Sequence, residues 1–336
     1  AVLLVNLLAG TVLLAVPERA AASIPVAVVQ GNARSNEKWE PEKKQDILQI
    51  YLEKAAEAAQ AGAKLIVLPE TAIPYAFFEG GALHRHLADI AEAYDATILA
   101  GVLTRQEGGA GAEDYETNSV VAVYPDRSVS ERYDKRHIVP FGEFIPYADV
   151  LETIFPFIGT LNLGDTQLLQ GSAPAVTEAA GARVGPLICF DSIFPALARE
   201  AVLEGADLLV VATNDSWFED SSGIYQHLRH AVLRAVETGR TVVRAANTGI
   251  SALIDPKGRV EAETAPLAVE VLYVQASVQT RKTLYTYIGD AALYIAMAGI
   301  AVGILAGAIT RKRNKMNSAP PDSRDASEQE REHDHG

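Results

Sequence analysis

Along residues 24–280 the hydrophobic pattern switches repeatedly between strand and helix periods. Short apolar runs of strand length, each closed by turn residues, read IPVAVVQGN, AKLIVLPE, ATILAGVLT, NSVVAVYPDRS, RVGPLICF, ADLLVVATND, TVVRAAN, SALIDPKGR and VLYVQAS. Between the first two lies PEKKQDILQIYLEKAAEAAQAG, which opens on Pro41, closes at Gly62 and puts Leu48, Tyr51, Leu52, Ala55 and Ala59 on one helical face. Further helices are expected over Pro195–Glu204 and about 223–238, while the stretch holding His84 and His86 reads as loop. No internal repeat and no Pro- or Ser-rich linker interrupts this region. The pattern predicts one α/β domain over 24–280 with two packed layers of strand.

The two ends differ from the middle. Residues 1–16, AVLLVNLLAGTVLLAV, are apolar but give only about 24 Å of helix at about 1.5 Å per residue, short of a roughly 30 Å hydrocarbon layer. They read as the second part of a membrane helix, with the chain beginning inside it. Ala291–Ile309 is free of charge and dotted with small residues, so a transmembrane helix is expected over 288–310. TRKRNK follows at once, which by the positive-inside rule puts the tail in the cytoplasm and the preceding domain on the other face. The tail, 311–336, is too polar to fold by itself.

Charge and cysteine content narrow the chemistry. A formal net charge of −14 argues against nucleic-acid binding, since no basic stripe is available for phosphates. The single cysteine, Cys189, excludes an internal disulfide. It sits where the apolar run RVGPLIC meets the turn FDSIFP. A thiol used as a nucleophile needs a base and donors for an oxyanion. None of His84, His86, His137, His227 and His230 is well placed by sequence for that task, and the His227/His230 pair lacks the further ligands a zinc site requires. No metal site is expected.

Two other reactive side chains share the setting of Cys189. Glu70 ends KLIVLPE, and Lys135 stands in RYDKRHIVPFGEFIPY; both fall where a strand hands over to a loop, the usual place for chemistry in α/β folds. LPETAIPY, YDKRHIVPFGEFIPY and LICFDSIFP, in that order and with gaps of 65 and 54 residues between the three reactive positions, resemble the Glu-Lys-Cys triad of the nitrilase (carbon–nitrogen hydrolase) superfamily. The likeness is closest to its membrane branch, the apolipoprotein N-acyltransferases, and extends through VVQGNARSNEKW and LLVVATNDSWF.

The resemblance implies a nitrilase-like α-β-β-α sandwich flanked by transmembrane segments, in the bacterial inner membrane with the catalytic domain on the periplasmic face. It implies that Glu70 is the general base, that Lys135 and the backbone N–H of Phe190 stabilise the oxyanion, and that Glu143 orients the lysine. Trp39, Tyr75, Asp191 and Trp217 would meet substrate. The implied reaction moves a fatty acyl chain from a phospholipid donor, through a thioester on Cys189, to the N-terminal amine of a diacylglyceryl lipoprotein; it needs no cofactor and is expected of a monomer. Tyr147–Gly164, with Val150, Leu151, Ile154, Phe155, Phe157, Ile158 and Leu161, is expected to be a lipid-facing arm, and Ala76–Leu87 a second. Phe190-Asp191 replaces the family's Tyr-Glu pair, which puts acceptor handling in question, and most of the family's membrane bundle has no counterpart here. The competing readings are a membrane-tethered amidohydrolase of the same superfamily and an inactive lipoprotein-binding scaffold.

Overall fold

The structure, a computed structural model, describes residues 2–17, 20–106, 115–147 and 167–317. The arm expected over Tyr147–Gly164 lies almost wholly outside the described residues, as does most of the tail. The first sheet contains β1 (Ala22–Gln30), β2 (Leu65–Leu68), β3 (Thr97–Gln106), β4 (Tyr115–Val123), β5 (Tyr133–Asp134) and β6 (Gln167–Leu168). The second contains β7 (Thr177–Ala179), β8 (Ala182–Ile188), β9 (Leu208–Thr213), β10 (Val242–Ala246), β11 (Ala252–Ile254) and β12 (Val260–Glu263), after which β13 (Glu270–Val278) returns to the first sheet beside β1. Both sheets are mixed. β1, β2 and β3 run parallel, as do β8, β9 and β10, and antiparallel strands flank each trio.

Strand alternation explains why the sheets stack. Successive side chains point to opposite faces, so Val26, Val28, Leu65 and Val67 turn toward the second sheet and meet Val184, Leu208, Val210 and Val243 in one core. Their neighbours Ala27, Val29, Ile66 and Leu68 face outward. They are covered by α3 (Pro41–Gln60), which follows α1 (Val2–Ala15) and the single turn α2 (Ser35–Lys38), and by α4 (Ala82–Tyr94). On the far side Leu209 and Val211 pack under α5 (Pro195–Leu203) and α6 (Ser222–Thr238). The layers are α-β-β-α, in agreement with the expectation.

One expectation fails here. The stretch holding His84 and His86, expected as loop and within the second arm over Ala76–Leu87, lies in α4, which buries Leu83, His84, Leu87, Ala88 and Ala91 at helical spacing. His84 is a packed residue of this helix: its Nδ1 accepts from Gly80 N at 2.9 Å and its Nε2 lies 3.0 Å from the Arg127 carbonyl. Two apolar positions four apart, followed by an alanine pair, suffice to build a helix when a sheet waits beneath it.

Two units divide the chain, at Tyr287 and Ile288. The first ends with α7 (Leu284–Ile288) entering the boundary, and holds α1 through Lys257, whose Nζ donates to the carbonyls of Leu14 and Val16 at 2.9 and 2.7 Å. The second contains α8 (Ala291–Asn317). Over Ala291–Asn314 it is long and apolar enough to cross a membrane, with a mean hydropathy of 2.2; among the described residues it is the one helix of which this is true. α1, at 14 residues, is too short to qualify.

Candidate active site

Glu70 follows the end of β2, Lys135 follows β5, and Cys189 follows β8, so residues far apart in sequence meet at the loop-bearing edge of the two sheets. The close approach depends on a glycine. A Cβ on Gly101 in β3 would stand 2.7 Å from Glu70 Cα and strike the Pro69 carbonyl, so only glycine lets the Glu70 turn rest on that strand.

An ion network fills the pocket. Lys135 Nζ donates to Glu70 Oε1 at 2.9 Å and to Glu143 Oε1 at 2.7 Å, with the lysine fully buried and Glu70 nearly so. Asn118 Nδ2 donates to the same Glu70 oxygen at 2.6 Å, and Asn214 N donates to Oε2 at 2.8 Å. Glu143 Oε2 accepts from Val139 N at 2.8 Å, which folds the VPFGE turn back on its own carboxylate. Burial alone would lower the Lys135 pKa; Glu70, then Cys189 and Glu143, hold it above the usual lysine value instead. The Glu143 carboxyl is pushed up by burial, against the pull of Lys135.

Cys189 has φ +47°, in the left-handed region that side chains other than glycine seldom occupy. Such strain is characteristic of functional turns. Its carbonyl is tied down by Ser192 Oγ at 2.7 Å and lies 3.3 Å from His227 Nε2. Although the residue is partly exposed, protein atoms around the sulfur push the thiol up to about 12; Glu70 adds to the rise and Lys135 opposes it. The resting thiol is therefore protonated, and its activation needs a neighbouring base.

The carbon–nitrogen hydrolase sequence profile matches residues 25–285. The chain belongs to the carbon–nitrogen hydrolase family. It is 35% identical over 311 residues to the apolipoprotein N-acyltransferase of Geobacter metallireducens, covering 92% of this chain and 58% of that relative. It is 34% identical over 312 residues to the apolipoprotein N-acyltransferase of Azotobacter vinelandii, covering 90% and 56%. The chain thus spans a little over half the length of these curated relatives. Among solved structures, an amidase from Nesterenkonia sp. superposes with a TM-score of 0.59 at 20% identity, over 84% of this chain and 98% of that one. A CN-hydrolase superfamily protein from Xanthomonas campestris gives 0.57 at 22%, over 83% and 97%. These likenesses establish the shared fold.

Within this carbon–nitrogen hydrolase, three loops that converge on Glu70 also carry exposed aromatics. Trp39 caps α2, Tyr75 follows the Glu70 turn, and Trp217 lies three residues after Asn214; they are 48%, 38% and 69% exposed. Phe190, next to the sulfur, is half-buried and meets the Phe194 ring edge-on at 5.3 Å. Asp191, expected to meet substrate, has no exposed surface. Its oxygens accept from Tyr133 Oη at 2.9 Å, His137 N at 2.8 Å, and Arg136 N and Ile188 N at 3.3 Å each. The geometry makes it a brace that joins the Lys135 and Cys189 turns, because a buried carboxylate must take its donors from the backbone around it. His137 stacks on Phe194 at 3.8 Å.

Four residues escaped the sequence reading. Asn118 and Asn214 reach Glu70 across gaps of 48 and 144 residues, with no local signature. Asp215 and Arg244 form a fully buried pair at 2.5 Å beneath the Cys189 turn, with His227 Nδ1 at 2.8 Å from Asp215. Lys38 is buried although Trp39 and Glu40 beside it are exposed. Among the described residues no cluster of His, Cys, Asp or Glu could hold a metal ion.

Proposed function

We propose that this chain carries the acyl-transfer centre of an apolipoprotein N-acyltransferase, with Glu70, Lys135 and Cys189 as its reacting groups. The buried Lys135, bridging Glu70 and Glu143 beside the sole cysteine, is the observation that supports this most directly. In the first half-reaction Glu70 takes the thiol proton and the sulfur attacks the ester carbonyl of a phospholipid. Negative charge on the carbonyl oxygen is met by the Lys135 ammonium and the Phe190 N–H. Collapse expels the glycerol oxygen of lysophospholipid, which receives its proton from Glu70, and leaves an acyl thioester. In the second half-reaction the free α-amine of a diacylglyceryl-cysteine attacks that thioester, gives up a proton to Glu70, and the sulfur leaves as thiolate to be reprotonated. Loss of a donor to such an oxyanion costs about 10²- to 10³-fold in rate.

Lipid chemistry fits the rest of the chain. Drawing an acyl chain of about sixteen carbons into water costs on the order of ten kcal/mol at about 0.8 per CH₂, so the site has to open toward a bilayer. The Ala291–Asn314 helix would anchor the domain there, and Trp39, Tyr75 and Trp217 would form the apolar rim that receives the donor. Arg311, Lys312 and Arg313 beyond the helix favour a cytoplasmic tail and a periplasmic catalytic domain in a bacterial inner membrane.

Incubating the chain with a phospholipid carrying a labelled acyl chain, then adding a lipopeptide, tests the proposal. An adduct on Cys189 that discharges to the peptide amine means transferase. Discharge to water alone means an amidohydrolase-like enzyme, and no adduct leaves only a binding scaffold.

A further inference from the structure

Lys38 ends α2, 32 residues before Glu70, and the resemblance gives it no role. Its side chain folds inward, leaving the residue 1% exposed, and its Nζ donates to Thr71 Oγ1 at 2.7 Å. Thr71 directly follows Glu70 and has φ +40°. A β-branched residue occupies that left-handed region only when its surroundings impose it. The next amide, Ala72 N, donates to Gly101 O at 3.1 Å. The turn that aims Glu70 is thus pinned twice, by its side chain to Lys38 and by its backbone to β3. An ammonium buried against a neutral hydroxyl is costly unless a carboxylate lies near. Burial pushes Lys38 down to about 8, and Glu70 is the charge that opposes the fall. Glu70 thus helps Lys38 keep its charge.

Resting on the reading of Glu70 as the base, we propose that Lys38 is a positioning residue: through Thr71 and through its charge it holds the Glu70 carboxylate where it can take the Cys189 proton. Lys135 donates to the Glu70 carboxylate itself, whereas Lys38 donates to the hydroxyl of the next residue, Thr71.

A soluble activated ester separates this inference from the lipid chemistry. With p-nitrophenyl acetate, the Cys189 sulfur attacks the carbonyl carbon, Glu70 takes the thiol proton, and nitrophenolate leaves as the anion, giving an acetyl thioester. Cys189 is the only cysteine, so intact mass of the full chain with the nitrophenolate burst follows that one step. Lys38→Met is expected to slow the burst about tenfold or more, the loss of one charged hydrogen bond. Thr71→Ala should follow it, whereas Thr71→Ser, which keeps the hydroxyl, should stay within about threefold of wild type. In a Glu70→Gln background Lys38→Met should cause no further loss, because its action passes through the missing carboxylate.

Equal slowing by Lys38→Met with and without the Glu70 carboxylate overturns the inference, as does a wild-type burst in Lys38→Met. Should that variant fail to fold, the Thr71 pair decides: Thr71→Ala at the wild-type rate, or Thr71→Ser as slow as Thr71→Ala, overturns it equally. A Glu70→Gln chain that bursts like wild type, or a wild-type chain that forms no acetyl-enzyme, removes the acid–base reading itself and the role of Lys38 with it.

Discussion

Lys135 keeps a full charge in a place where an isolated ammonium would lose it, because two carboxylates share it. Removing one of them tests that division of labour. Glu143→Gln keeps an oxygen for Val139 N but takes away the charge at 2.7 Å, so Lys135 is left to lean on Glu70 and stands less squarely toward an oxyanion. Thioester formation is expected to slow about 10- to 100-fold, the range of one charge-assisted bond, while the fold survives. Single-turnover acylation read by mass, set beside a melting curve, checks both halves. A second residue-scale consequence concerns pH. Burial would raise the Asp215 carboxyl, but Arg244, and then His227, bring it down to about 2 from an ordinary 3.8. A carboxyl that titrates lower in the folded chain than in the unfolded one contributes stability that is present above about pH 4 and disappears as pH falls through about 2. Its loss is on the order of 2 kcal/mol. Urea unfolding at stepped pH should show this decline in the wild type, and Asp215→Asn should lack that step while being less stable at neutral pH, since Arg244 is then buried unpaired. An Asp215→Asn chain with the wild-type slope between those pH values excludes the assignment.

At the scale of elements, β3 is the platform on which the Glu70 turn rests, and Gly101 is the point of contact. Gly101→Ala would place a methyl group 2.7 Å from Glu70 Cα. Backbone on that side cannot swing away as a flexible side chain would. The expected result is about 1 to 3 kcal/mol of destabilisation by overpacking, with loss of acylation beyond what the stability change explains. Denaturant unfolding and the acetyl-ester burst, run on the same sample, separate the two effects; a variant with wild-type acylation would mean the turn adjusts freely. The strands that build this platform were legible because their apolar runs face a core on both sides, and the reading of β1, β2, β3, β8, β9 and β10 needed only run length and turn residues. The reactive trio was legible for a related reason, since each member stands where such a run stops. What lay beyond local pattern was pairing. Asn118 and Asn214 join Glu70 only after the sheets are assembled, and nothing in SNEKWEPEKK distinguishes the buried Lys38 from the exposed Lys43. α4 was hidden by Gly-Gly and His-Arg-His, residue types that usually mark loops, although Leu83, Leu87 and Ala91 keep the spacing of a buried helical stripe. Asp191 misled in the opposite direction: a carboxylate beside a nucleophile suggests substrate contact, and only the convergence of four donors from two turns turns it inward.

For the whole molecule the proposed reaction turns on which side of a bilayer the domain before the Ala291–Asn314 helix would occupy. At about 1.5 Å per residue, the uncharged run from Ala291 to Thr310 gives about 30 Å of helix, enough for a roughly 30 Å hydrocarbon layer. Arg311, Lys312, Arg313 and Lys315 cluster at its C-terminal end, whereas the stretch before the helix, RKTLYTYIGD, carries two bases, Arg281 and Lys282, and one acid. That asymmetry favours a cytoplasmic C-terminus and a domain on the opposite face. Phospholipid and lipoprotein substrates would then reach Cys189 from the outer leaflet of the inner membrane. The same cysteine supplies the test, because it is partly exposed and has no rival in the sequence. A small, charged methanethiosulfonate that cannot cross the membrane, applied to spheroplasts producing the chain, should modify Cys189 before lysis, and prior treatment should abolish labelling of the denatured protein afterwards. Cys189→Ser sets the background. Protection until the spheroplasts are broken would put the domain in the cytoplasm, where the acceptor amines of exported lipoproteins do not occur, and the proposed reaction would lose its substrate.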